Sequence, residues 1–143
     1  MTPDALMRDV AEAFENSDLR PLLEAIDNKV VWKSGSTVQG FFRFGGGEYT
    51  DYHGVMEVTS QIAMTYSFRR FRPKEIMSSG EIVWGLFEIE ANFREAGPDS
   101  QSPKPVKFEC AIRWRVRENK IVEHQAFFDT TALLFRHGRL SPD

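Results

Sequence analysis

Residues 106–117 constrain the fold more than any other stretch, because Phe108, Cys110, Ile112, Trp114 and Val116 alternate with Lys107, Glu109, Ala111, Arg113, Arg115 and Arg117. A helix would scatter that apolar set around its circumference, so the segment is expected to be a strand with one buried and one polar face. Glu118-Asn119 then offers a two-residue turn into a second strand, residues 120–128. Upstream, residues 81–95 place Val83, Phe87, Ile89, Ala91 and Phe93 on one face and Ile82, Trp84, Leu86, Glu88, Glu90 and Arg94 on the other. Residues 74–79 read as their companion strand after a break at Phe71-Arg72-Pro73, and the polar stretch 97–103 as a connecting loop. The second half of the chain is therefore expected to be an antiparallel meander.

The first half changes period. Thr2 is an expected N-cap, Pro3 suits the first helical position and Asp4 complements the positive helix end, after which Leu6, Val10, Ala13 and Phe14 recur at helical spacing as far as about Asn16. Asp18 is placed to cap a shorter helix with Pro21 in its first turn and an apolar stripe of Leu19, Leu22, Leu23 and Ile26. Lys29-Val30-Val31-Trp32-Lys33 has the β-branched and aromatic character of a strand. Gly54 opens a third expected helix marked by Val55, Val58, Ile62 and Tyr66.

Between them, residues 34–53 mix Phe41, Phe42, Phe44, Tyr49 and Tyr52 with glycines, which reads either as a binding loop or as a plug for the end of the core. The run Gly45-Gly46-Gly47 continues as Glu48-Tyr49, without the lysine and hydroxyl residue of a phosphate loop.

Composition narrows the function classes. A chain of 143 residues with 41% apolar and 13% aromatic content suits a single domain spanning 1–143 with a sizeable core. The net charge of −3 provides no broad basic surface, so no nucleic-acid partner is expected, and the clusters Arg69-Arg70-Phe71-Arg72 and Arg113, Arg115, Arg117 read as solvated or paired surface. No apolar window approaches membrane-spanning length, and the opening residues lack the basic and apolar regions of a secretion signal. With Cys110 the only cysteine, no intrachain disulfide is possible, and a cytoplasmic location is expected. His53, His124 and His137 are too scattered for a metal site, and no cofactor motif is present.

Residues 10–19 and 22–26, then Lys29-Val30-Val31-Trp32, residues 44–49 through Tyr52-His53-Gly54, and residues 120–124 through Phe127-Phe128-Asp129 follow one another in an order that resembles the nuclear transport factor 2-like superfamily, in particular its SnoaL-like branch. The resemblance implies an α+β cone, with N-terminal helices packed in a curved antiparallel sheet around a hydrophobic pocket. It also implies a choice among isomerases, polyketide cyclases, epoxide hydrolases and binding proteins. Ketosteroid isomerases carry a tyrosine and an aspartate where this chain has Val10 and Lys33, and limonene epoxide hydrolases carry an aspartate where it has Ala126. In SnoaL-type cyclases a pocket aspartate is the base, a role for which only Asp129 or His124 is at hand.

The last strand is expected to turn Val122, His124, Ala126 and Phe128 inward, which sets one imidazole on an apolar face. His124 reads either as an acid, base or hydrogen-bond donor in a pocket, or as a core histidine satisfied by a carbonyl or tyrosine. Asp129 is either its catalytic partner or the cap of a turn over residues 130–134. Phe14, Trp32, Cys110, Ile112 and Phe128 are the candidate lining of the pocket, with Tyr52 and His53 at its mouth. Glu88 and Glu90 are placed to pair with Arg113 or Arg115. Trp84 and Leu86 on the outer face point to a homodimer through the sheet. Three functions follow: a binder of a hydrophobic or amphipathic small molecule, an isomerase, cyclase or hydrolase using His124, and a noncatalytic dimerisation module whose own side chains fill the cavity.

Overall fold

The computed structural model describes residues 1–35, 47–93 and 105–130; the aromatic stretch 36–46, the loop 94–104 and the end 131–143, with His137, lie outside the described residues. Helix α1 (Pro3–Glu15) starts where Thr2 Oγ1 accepts the Ala5 N–H at 3.1 Å and buries Met7, Val10 and Ala11 on one face. It ends because Ser17 adopts φ 59°, which lets the Asp18 N–H reach the Ala13 carbonyl at 2.8 Å and the Ser17 N–H reach Phe14 at 3.0 Å. That pair of bonds is a Schellman closure built on serine instead of the usual glycine.

The Asp18 carboxylate then accepts the Arg20 N–H at 3.0 Å at the start of α2 (Arg20–Ala25). The chain passes at once into β1 (Ile26–Lys33), so Ile26 begins a strand where a helical stripe was expected to continue.

After β2 (Glu48–Thr50), helix α3 (Asp51–Thr65) begins three residues before Gly54. The Asp51 carboxylate explains this early start, accepting the Gly54 N–H at 3.0 Å. Val55, Val58 and Thr59 are buried on α3, and the Thr59 hydroxyl is satisfied by donating to the Val55 carbonyl at 2.7 Å. The remaining strands are β3 (Tyr66–Ser79), β4 (Ile82–Phe93), β5 (Val106–Arg117) and β6 (Lys120–Phe127), and the sheet order is β2-β1-β6-β5-β4-β3.

Four expectations change. The sheet is mixed: β3 to β6 form the antiparallel meander, but β1 runs parallel to β6. Pro73 does not break the chain, because β3 is an edge strand and a missing N–H there costs no ladder bond; pairing with β4 continues across register shifts on either side. In β6 the pairing jumps from Glu123 opposite Arg115 to Ile121 opposite Val116, leaving Val122 as a bulge. Ile121 therefore takes the fully buried place expected for Val122, which is only half-buried. Glu88 and Glu90 pair with Arg70 and Arg69 of the neighbouring β3, while Arg113 and Arg115 both meet Glu123, at 3.0 and 3.2 Å.

The Glu118-Asn119 turn is present with φ of 50° and 64°, the left-handed pair of a type I′ hairpin. Helix α1 lies on the concave side against β3 and β4. Its close approach uses Gly85: a Cβ there would come within 2.7 Å of Met7 Sδ and 2.5 Å of the Phe87 ring.

Candidate functional site

Helices and sheet do not fill the space between them. A cavity of about 100 Å³ remains, walled by Phe14 and Val10 of α1, Trp32 of β1, Ile112 and Trp114 of β5, and His124 and Ala126 of β6, with further apolar neighbours. Aromatic pairs brace the wall, with Phe14 stacked on Phe71 at 5.3 Å and Phe108 beside Phe128 at 5.7 Å. Phe128 in turn needs Gly35, since a Cβ at that position would overlap its ring.

Strand register assembles the polar part of the site. Trp32 is opposite His124 across β1–β6, and His124 is opposite Trp114 across β6–β5, so the three rings form one inward row. Trp32 and His124 stack with centroids 3.5 Å apart and planes 9° from parallel. Trp114 Nε1 donates to His124 Nδ1 at 2.9 Å, a buried hydrogen bond. Because an indole nitrogen only donates, Nδ1 must be unprotonated and the neutral ring carries its hydrogen on Nε2. Burial lowers the His124 pKa to about 3, so the ring is neutral at physiological pH.

The other titratable groups on the wall are neutral as well. Burial pushes the Cys110 thiol up to about 12 and the Tyr66 phenol upward, which makes Cys110 a small apolar surface instead of a thiolate nucleophile. Neither a carboxylate nor a cationic side chain appears among the described lining residues. Val10 and Ala126 do line the cavity, but as apolar groups, while Lys33 is exposed.

The expected pocket residues Phe14, Trp32, Cys110, Ile112, His124 and Phe128 are brought together. Tyr52 is not on the cavity wall; it belongs to the first turn of α3 and packs against the core with its ring 6.3 Å from that of His53. Asp129 is exposed, off the wall, and directly precedes the helical residue Thr130. It is thus not part of the wall that carries His124, and the turn it was expected to cap lies mostly outside the described residues. Trp114 is the residue that sequence reasoning left out of the site. Its inward position on β5 was legible, but its partnership with His124 depends on the β5–β6 register. Among the described residues no cluster of three or more His, Cys, Asp or Glu could hold a metal, and no helix is long and apolar enough to cross a membrane.

No protein-family model matches the sequence, and no curated protein does. Solved structures are similar in shape. A nuclear transport factor 2-like protein of unknown function from Burkholderia pseudomallei has a TM-score of 0.74 at 21% identity, covering 94% of this chain and 97% of its own. IdmH from Streptomyces antibioticus, provisionally described as a polyketide cyclase, has a TM-score of 0.75 at 21% identity over 96% and 99% of the two chains. A protein from Rhodopseudomonas palustris, provisionally described as an isomerase, reaches 0.77 at 18% identity over 96% and 98%. Likeness of this extent at such low identity speaks to architecture: the chain has the nuclear transport factor 2-like fold, an α+β cone of N-terminal helices against a curved mixed sheet.

Proposed function

We propose that this protein binds an uncharged, largely apolar small molecule in the cavity between α1 and the sheet, in the manner of SnoaL-like binding proteins. The observation that carries this reading is the charge-free wall: its three titratable groups, Tyr66, Cys110 and His124, are each driven by burial to the neutral form. A charged ligand would lose its hydration there without a counter-charge in return. Benzene serves as the probe because it is uncharged and apolar like the wall, and a dry cavity of about 150 Å³, the same order as the roughly 100 Å³ here, holds it. Saturating benzene should raise the melting temperature of the wild type, with about 2.7 kcal/mol of stabilisation at a hundredfold excess over Kd. Ala126→Leu, which fills the void, should abolish the response. An equal response in both proteins would place the binding elsewhere.

A second reading is an enzyme of the isomerase, cyclase or hydrolase type, which the descriptions of two structural neighbours favour. The Trp114 bond limits it: with Nδ1 engaged and Nε2 protonated, His124 has no free lone pair to act as a base. The role that remains is donation from Nε2–H to a substrate carbonyl. His124→Gln with retained turnover would remove this reading. The filled-cavity module requires no void beside His124, and the cavity there counts against it.

Self-association through the outer sheet face completes the reading. Trp84 and Phe127, 42% and 45% exposed, stack at 6.0 Å, and Met77, 69% exposed, is the β3 neighbour of Trp84. Such a patch suits a second copy of the same chain. Sedimentation analysis of Trp84→Glu should show monomer where the wild type shows dimer; a monomeric wild type would remove the proposal.

A further inference from the structure

The indole Nε1 of Trp32 is the one buried side-chain nitrogen or oxygen without a hydrogen-bond partner among the described residues. Trp32 is only 4% exposed and its residue lines the cavity, so the donor is hidden from bulk water on a side chain that walls the void. Native proteins rarely leave a buried donor unpaired.

The shortage follows from the chemistry of the ring row. Trp32, His124 and Trp114 together present three N–H donors, one on each ring, but a single acceptor, His124 Nδ1. Trp114 takes that acceptor at 2.9 Å. The ring stacked on Trp32 offers only its π face, so no rearrangement within the row can satisfy the Trp32 N–H.

We propose that the Trp32 Nε1–H is a ligand-recognition group, and that the cavity selects a neutral molecule with an apolar body and one carbonyl-type acceptor, a ketone or ester, over the corresponding hydrocarbon or anion. The inference rests on the cavity-binding reading above. A carboxylate would also accept the bond, but no cationic side chain on the described wall would offset the loss of its hydration. Ketone and hydrocarbon fill the same space, and only the former relieves the unpaired donor.

The test compares cyclohexanone, methylenecyclohexane and cyclohexanecarboxylate on the ¹⁵N-labelled full chain. The Trp32 indole resonance is assigned by its disappearance in Trp32→Phe. Cyclohexanone should shift that resonance downfield while methylenecyclohexane leaves its hydrogen-bond state unchanged, and the carboxylate should bind most weakly. In Trp32→Phe the ratio of ketone to hydrocarbon affinity should fall about 2- to 10-fold, the range of one net hydrogen bond. Should the variant not fold, the resonance is assigned in the wild type from its NOE contacts with the stacked His124 ring, and its shift decides by itself. If ketone and hydrocarbon both bind but move the indole resonance alike, or if the carboxylate binds tightest, the acceptor proposal is overturned while the cavity reading stands. If none of the three binds, both are overturned.

Discussion

Acidification from neutral pH should destabilise this protein through His124. The folded imidazole has a pKa of about 3 against an ordinary value of 6.5, because burial disfavours its charged form. As pH falls below 6.5 the unfolded chain takes up a proton at this site and the folded chain does not. The unfolded state thus binds more protons between pH 6.5 and about 3, and stability falls with falling pH throughout that window. At pH 5 the deficit spans one and a half pH units, or about 2 kcal/mol, a sizeable share of a typical 5–15 kcal/mol.

Glu123 and Asp18, whose carboxyls are lowered chiefly by hydrogen bonds from Arg113 and Arg20, lose stability in the same direction, but only as pH drops below their ordinary values of 4.5 and 3.8. Between pH 7 and 5 neither of these carboxyls contributes, and comparison with a His124 variant isolates the imidazole. Urea unfolding at pH 7, 6 and 5 should be run on the wild type and on His124→Gln, whose amide oxygen can still accept the Trp114 N–H but cannot titrate. The variant should be less stable at pH 7 by about 1–3 kcal/mol, having lost the stack on Trp32. At pH 5 that gap should narrow by about 2 kcal/mol. Parallel pH profiles would refute the reasoning, because they would mean that the folded imidazole protonates as readily as the unfolded one.

Removing the donor that holds His124 should also register: Trp114→Phe leaves Nδ1 buried without its bond and should lower stability by about 1–3 kcal/mol, with the tautomer, read from ¹⁵N shifts, no longer confined to Nε2–H. Gly85→Ala places a methyl group against Met7 and Phe87 and should cost about 1–3 kcal/mol in thermal or urea unfolding, whereas an unchanged midpoint would mean that α1 does not seat closely on β4. In the β5–β6 turn, Glu118→Asn combined with Asn119→Gly should stabilise by about 1 kcal/mol, since both positions have positive φ and the replacements tolerate it better; a lower melting temperature would contradict the type I′ assignment.

Local periodicity carried much of the architecture. The alternation in residues 106–117 identified a strand and its buried face because side chains on a pleated backbone must alternate, whatever lies beyond. The caps of α1 were legible for the same kind of reason: Thr2 and Pro3 act on backbone groups within one turn. Pro73 misled because its effect on a strand depends on whether the N–H side has a neighbour, which is a property of the sheet and not of the tripeptide. The inward side of the site was readable at Trp32, Cys110, Ile112 and His124. Tyr52 was misplaced because Asp51 starts α3 earlier than Gly54 suggested.

By itself, then, the order of residues determined the existence of the helices, the meander, the two-residue turn and the presence of an imidazole on an apolar face, all of which depend on neighbours a few positions apart. Tertiary structure alone decided the parallel β1–β6 pairing, the bulge at Val122 and the row Trp32–His124–Trp114. Those depend on register between strands distant in sequence, where a shift of one residue would turn every side chain to the opposite face. The chemistry of His124 was settled there too. The register brings a second indole to its Nδ1 and buries the ring, so a side chain that ordinarily titrates near neutrality is held as a neutral hydrogen-bonding group.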